Sequence, residues 1–301
     1  MADTRRGILS GIAAYTMWGL FPLYWPLLKP AGPLEILAHR MIWSLAAVLV
    51  ILGVRRHWAW LRTLQPRRIA LLALAALIIT VNWGTYIYAV NNGHTIESAL
   101  GYFINPLVSV LLGVLVFRER LRRWQWAAIG ISVVAVAVLA ADYGRLPWIA
   151  LVLACSFGTY GLVKKFAATG SAESLTVETA VLFLPALGYT LFAPHQTFTG
   201  HGTGHISLLV GAGVVTAIPL MLFNSAATRV PLTVIGMLQY LAPVLQFLIG
   251  FLVQHEAMPA SRWVGFLLVW ASLAILSVDG LRTARSKRRA VVRPEPITEA
   301  A

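Results

Sequence analysis

Apolar residues run in blocks of about 20 along nearly the whole chain, separated by short segments rich in Arg, Gly and Pro. A helix rises 1.5 Å per residue, so about 20 apolar residues carry it across the hydrocarbon core of a bilayer. Ten blocks meet that length: residues 7–28, 35–53, 69–90, 96–117, 124–141, 146–163, 175–193, 205–225, 232–253 and 260–279. Strand-like alternation over ten-residue stretches is absent, which argues against an outer-membrane barrel. The pattern predicts an all-α integral membrane protein with ten transmembrane helices, and the short loops leave no room for a separate soluble domain.

A second pattern overlies the first. Pro106 and Pro243, Gly113 and Gly250, Glu119 and Glu256, and Trp126 and Trp263 each stand 137 residues apart, while Gly32 and Gly170, and Glu35 and Glu173, stand 138 apart. A fixed offset of this size marks a duplication, with a first repeat over 7–141 and a second over 146–279. Each repeat holds five crossings, an odd number, so the second copy must enter the membrane upside down. Two inverted five-helix repeats are the layout of carriers whose site near the midplane opens alternately to either side.

Composition agrees with burial in lipid: 58% of the 301 residues are hydrophobic and 12% are charged, with a mean hydropathy of +0.75. The net charge of +13 is an orientation signal, because 20 of the 24 Lys and Arg fall in the N-terminal segment, the alternate loops on its side and the tail, 282–301. Lys29, Arg145 and Arg262 lie in the opposite loops, and Arg40 lies within a span. Both termini are therefore expected in the cytoplasm, with the chain in the cytoplasmic (inner) membrane of a bacterium and no nucleic acid among its partners. The first apolar run contains Trp18, Pro22 and Trp25 and lacks an evident small-residue cleavage site, so it is expected to remain as the first helix. Cys155 is the single cysteine, which excludes intrachain disulfides and cysteine-based metal clusters. His195, His201 and His205 share one outer loop, but no carboxylate is close to them in sequence and no metal site is assigned.

Polar residues at membrane depth are costly unless they face a cavity or a partner. Ser98, Tyr102, Asn105 and Ser109 follow one face of the fourth span at i, i+4, i+7 and i+11. Gln239 and Gln246 stand 137 residues after Tyr102 and Ser109, which puts polar groups on the same face of both duplicated helices. The stripes line a substrate cavity or hydrogen-bond helices together, and the spacing fits both. Pro106 and Pro243 each remove a hydrogen bond in mid-span and free a carbonyl, which fits matched hinges for gating or prolines that serve packing alone. Asn82, Trp83 and Tyr86 on the third span and Trp18 on the first add aromatic surface suited to an amphipathic or aromatic solute.

Glu35, His39 and Arg40 open the second span from the outer side, with Glu35 and His39 on one face. Glu97, at the outer end of the fourth span, is the expected partner of Arg40. Glu35, His39 or Glu97 could carry a coupling proton, or these groups could form a structural ion pair. Glu178 is expected near the inner surface in water, and Glu119 and Glu256 are expected to end their helices as structural residues.

The motifs Trp18-Gly19, E-I-L-A-H-R-M-I-W-S from Glu35 to Ser44, Asn82-Trp83, G-Y-F-I-N-P-L from Gly101 to Leu107, L-L-G ending at Gly113, Glu119-Arg120-Leu121, and Gln239-Tyr240 with Pro243 resemble the RarD branch of EamA transporters in the drug/metabolite transporter superfamily. The likeness runs from about residue 5 to 280. It implies a ten-helix inner-membrane permease of two EamA repeats, in a superfamily that mainly exports small metabolites, and it adds Tyr240 to the candidate substrate contacts. The branch is named for chloramphenicol sensitivity. Trp25-Pro26 stands where an aromatic followed by Lys is usual, and Ser109 where Asn is usual.

No phosphate-binding G-x-x-x-x-G-K-[ST] loop occurs, so ATP hydrolysis by this chain is excluded as the energy source. The leading expectation is a secondary transporter, not an enzyme, without a cofactor, that moves a small organic metabolite or drug by alternating access coupled to a proton or another ion. A lipid scramblase or intramembrane enzyme is the alternative, although no H-E-x-x-H or G-x-S-x-G sequence is present.

Overall fold

The computed structural model describes residues 2–54, 56, 58–118 and 120–292. These form helices joined by short loops, and no strand occurs among the described residues. In chain order the helices are α1 (Ala2–Tyr24), α2 (Pro33–Val54), α3 (Pro66–Asn91), α4 (Thr95–Phe117), α5 (Arg123–Tyr143), α6 (Trp148–Ala167), α7 (Ser171–Phe192), α8 (Gly202–Ala227), α9 (Leu232–Leu238), α10 (Leu241–Leu248) and α11 (Ala260–Val292). A 3-10 turn at Trp25–Leu28 extends α1, and a π turn at Ile249–Val253 extends α10, so α9, α10 and that turn make one crossing.

Ten crossings result, and each expected span has its helix. Among the described residues, nine helices are long and apolar enough to cross a membrane by length and composition. The first helix is not among them, because Tyr15, Trp18, Pro22 and Tyr24 interrupt its aliphatic run. The expected tail, residues 282–301, does not begin as a separate segment: α11 continues to Val292. Residues 293–301 lie outside the described residues, as does Glu119, one of the two expected helix-ending glutamates.

The two halves pack with a clear internal symmetry. α1 lies on α8 as α6 lies on α3, α2 on α8 as α7 on α3, and α4 on α6 as α10 on α1. The remaining principal contacts between halves, α2 with α7, α4 with α10 and α5 with α11, join equivalent helices. α2 and α7 are both 22 residues long and coincide at the 138-residue offset. Because each half crosses five times, its copy is inverted, and each of these three equivalent pairs meets across the boundary between halves.

Small residues permit these crossings. A Cβ on Gly213 of α8 would stand 2.2 Å from the Trp43 carbonyl carbon of α2, and one on Gly101 of α4 would stand 2.7 Å from the Ala150 carbonyl oxygen of α6. Apolar side chains gain little by leaving lipid for protein, so close backbone approach is a main source of helix association here. Ser44 reinforces the first crossing by donating to the Gly213 carbonyl at 3.4 Å.

The matched prolines have unequal effects. Pro243 cannot donate to Gln239, and the α-helical hydrogen bonding is interrupted at Gln239–Tyr240 between α9 and α10, although both residues keep right-handed helical dihedrals. Pro106 cannot donate to Tyr102, yet α4 continues unbroken from Thr95 to Phe117. One residue explains the contrast: Gly236 occupies the position in the ninth crossing that Ala99 occupies in α4. Glycine costs about 1 kcal/mol relative to alanine inside a helix, so Pro243 acts on a weaker turn.

Gly213→Ala is expected to destabilise the purified protein by about 1–3 kcal/mol through overpacking against Trp43. Gly188→Ala on α7, where a Cβ meets nothing within 4 Å, is the control and should be neutral or slightly stabilising. Thermal unfolding in detergent would compare the two, and equal melting temperatures would contradict the close-approach account of the α2–α8 crossing.

Candidate functional site at the centre of the bundle

α2 carries Arg40 into the middle of the protein, where it is 2% exposed. Its Nε donates to Thr216 Oγ1 of α8 at 2.7 Å. The guanidinium carbon lies 3.8 Å from the Trp83 ring centroid, 5.2 Å from Trp25 and 5.8 Å from Phe21. Such cation–π contacts are worth up to about 2 kcal/mol when desolvated. Nη1 is buried without a hydrogen-bond partner.

Around this cation stand most of the aromatic residues singled out in the sequence. Trp18, Trp83, Tyr86 and Tyr102 pack with Phe21 and Trp25 in one core cluster. Tyr86 and Tyr102 meet edge to face at 5.7 Å. Tyr102 donates its hydroxyl to Asn82 Oδ1 at 3.1 Å, and Asn82 Nδ2 donates to the Leu153 carbonyl at 3.0 Å and Ser156 Oγ at 2.9 Å. α3, α4 and α6 are thus joined through one amide. From the other half, Gln246 Nε2 donates to the Trp18 carbonyl at 3.2 Å. Gln246 Oε1, Asn105 Oδ1 and Tyr86 Oη are buried without partners.

The polar stripe on α4 divides along its length. Ser98 is buried and donates to the Thr95 carbonyl at 2.7 Å, Tyr102 and Asn105 are half-buried, and Ser109 is exposed. Gln239 is half-buried at the break before α10. Tyr240 is not brought to the central cluster. It lines a separate crevice of about 230 Å³ with Phe103, Trp270 and Leu273, and its hydroxyl accepts from Ser277 Oγ at 3.5 Å.

The ionisable groups need two corrections. Glu97, expected beside Arg40, pairs instead with Arg145: Nη2 donates to Oε2 at 2.7 Å, Nη1 to Oε1 at 3.2 Å, and the Ile149 amide donates to Oε1 at 3.1 Å. Arg145 reaches it from the next loop, and the hydrogen bonds to Glu97 raise the Arg145 pKa above its ordinary value. Glu178, expected in water, is 3% exposed and accepts from Lys164 Nζ at 2.8 Å, Ser174 Oγ at 2.5 Å and Tyr160 Oη at 3.1 Å. The repeat offset carried the missed signal, because Glu178 is the counterpart of Arg40 at 138 residues.

The outer loop between α7 and α8 is tied to α2 by a carboxylate. Glu35, 162 residues from Thr197 in the chain, accepts from the Thr197 amide at 2.7 Å, the Phe198 amide at 3.1 Å and Thr197 Oγ1 at 3.1 Å. His205 Nε2 lies 2.9 Å from the same Thr197 Oγ1. No group of three or more metal-ligating side chains forms among the described residues. His39 stacks on Phe198 at 4.5 Å, with both ring nitrogens buried and without partners. Glu256 meets its structural expectation, accepting from the Thr95 and Ile96 amides at 2.6 and 2.9 Å and capping the start of α4.

Two five-helix halves around a polar and aromatic centre match a known family model. The EamA-like transporter family model fits residues 5–141 and again 146–278. The chain belongs to this family. Its relatives include Protein RarD of Streptomyces exfoliatus, 61% identical over 95% of this chain and 92% of that one. The uncharacterized transporter YojE of Bacillus subtilis (strain 168) is 44% identical over 95% of this chain and 98% of its own length. A crystal structure at 21% identity shares the fold, with a TM-score of 0.61 over 92% of this chain and 98% of the other. The likeness to RarD expected from the motifs therefore extends across both repeats, and the EamA-family chain is a multi-pass membrane protein of the transporter class.

The Glu97–Arg145 clamp is asymmetric, because Glu97 is 1% exposed and Arg145 38%. Arg145→Gln should destabilise more than Glu97→Gln, since the first leaves a buried carboxylate and the second returns a cation to water. The loss should fall below the roughly 3–5 kcal/mol of a fully enclosed pair, because the Ile149 amide still solvates Glu97. Thermal unfolding of both single variants and the double variant checks this ordering. A larger loss for Glu97→Gln would contradict it.

Proposed function

We propose that this EamA-family chain is a secondary carrier that moves small organic solutes across the bacterial cytoplasmic membrane by alternating access. The supporting observations are the aromatic cluster around Arg40 and three buried polar atoms without partners, Tyr86 Oη and Asn105 Oδ1 in the first half and Gln246 Oε1 in the second. A buried polar atom without a partner costs about 1–3 kcal/mol, a cost that a bound solute would remove. Trp18, Trp83 and Tyr102 supply apolar faces, and Asn82 fixes Tyr102 by its hydrogen bond. Export is the preferred direction, and the broken turn above Pro243 and the continuous helix at Pro106 are the gating elements.

Proton coupling is assigned to His39 and Glu35. The Thr197–Phe198 segment covers both, through hydrogen bonds to Glu35 and the stacked Phe198 ring on His39. Withdrawal of that segment would expose an imidazole beside a carboxylate, a pair suited to taking and releasing a proton. Glu97 belongs to the structural clamp with Arg145.

Two experiments test the reading. In a Cys155→Ser background, His201→Cys should react with an impermeant thiol reagent in intact cells and Arg62→Cys should not, which would place both termini in the cytoplasm. The opposite labelling pattern would overturn the orientation. In sealed vesicles, Asn105→Ala and Gln239→Ala should reduce uptake of labelled amino acids or amphenicols, measured with and without a pH gradient, while melting temperature hardly changes. If those groups only join helices, stability should fall by up to about 1–2 kcal/mol and transport should follow the folded fraction.

A further inference from the structure

The geometry points to Arg40 as the receptor for the anionic end of the solute, so that the substrate class is an organic carboxylate with an apolar or aromatic body. This rests on the carrier reading above and narrows it to one charge type. A guanidinium has five N–H donors and no acceptor. One is used on Thr216, and the faces of Trp83, Trp25 and Phe21 stabilise the charge without accepting a strong hydrogen bond.

Around Arg40 several donors are left without acceptors. Nη1 of Arg40, Oη of Tyr86 and Nε1 of Trp25 are all buried and unpartnered. The nearby hydroxyl of Tyr102 is already given to Asn82, and that of Thr216 to the Ala212 carbonyl at 2.8 Å. Among the described residues no carboxylate forms an ion pair with Arg40. Glu35 is held by Thr197 and Phe198, Glu97 by Arg145, Glu178 by Lys164, and Glu256 by the start of α4. A cation this deep costs several kcal/mol when it lacks an anionic partner.

A bound carboxylate matches these deficits together. It brings the missing charge, its two oxygens offer about four acceptor positions, and a planar fork suits the guanidinium. The rings around Arg40 then receive the rest of the molecule, as the apolar walls of a ligand site with few oriented polar groups. A cationic solute would be repelled from the same place, and a neutral amide would leave the charge unmatched.

The probes are 3-phenylpropionate and N-acetylphenylalanine, each compared with its primary amide at fixed ionic strength. Purified protein in a non-ionic detergent would be followed by tryptophan fluorescence and thermal unfolding. Both carboxylates should raise the melting temperature and perturb the fluorescence, and their amides should bind about tenfold more weakly or worse, as expected for loss of a charge-assisted pair. Arg40→Gln should abolish the preference, and Arg40→Lys should retain part of it. If Arg40→Gln does not fold, Tyr86→Phe provides the second variant and should weaken the carboxylates more than the amides.

Equal binding of acids and amides, undiminished acid binding in Arg40→Gln, or no response to either acid at millimolar concentration would each overturn the proposal. Counterflow in proteoliposomes separates its failure from that of the carrier reading. Exchange of the neutral amides that is indifferent to Arg40→Gln would remove the anion site and leave a carrier. Binding of the acids through Arg40 with no exchange of any probe would leave the anion site and remove the carrier.

Discussion

A carboxylate inside a bilayer has no water to turn to, and the ends of this bundle are organised around that constraint. Glu35 is taken by two loop amides, Glu97 by Arg145 and the Ile149 amide, and Glu256 by the first amides of α4. Each bond joins segments distant in the chain. The same oxygens that need solvation thereby fasten the loops to the helices and fix where the helices begin. Glycine contacts set how closely the crossings approach, and these carboxylates set their register.

Arg40 and Glu178 show how far the duplication has diverged. They occupy equivalent positions on α2 and α7, one a cation among aromatic rings and the other an anion joined to Lys164, Tyr160 and Ser174. The backbone symmetry survives in the packing of every major helix pair between halves. Chemistry has not followed it. One half supplies a charge with an unspent donor, the other a charge whose partners are already present.

Helix count and duplication were legible because both depend on properties that sequence states directly: length, hydropathy and residue identity at a fixed offset. The central aromatic group was partly legible too, since Trp18, Trp83, Tyr86 and Tyr102 are too deep in their spans to serve only as interface anchors. Charge pairing was not legible. Arg145 was counted as a loop charge, and nothing in the local pattern said that it would turn back to Glu97. Thr197 and Glu35 are 162 residues apart, so their contact exists only once α2 and α8 cross. Tyr240 was included through the resemblance and stands apart, because its side chain leaves the helix toward Trp270 and Ser277.

Gly236 and Ala99 give the two halves different stiffness at equivalent points. In one half the polypeptide already has a joint at Gln239–Tyr240; in the other, α4 is a continuous rod. Rocking the bundle in one sense would use an existing joint, and rocking it in the other would require new bending. The two halves are alike in architecture and unlike in the continuity of these equivalent helices. Bending at the two equivalent points would then differ in ease through the helix propensity of a single residue, one turn before Gln239.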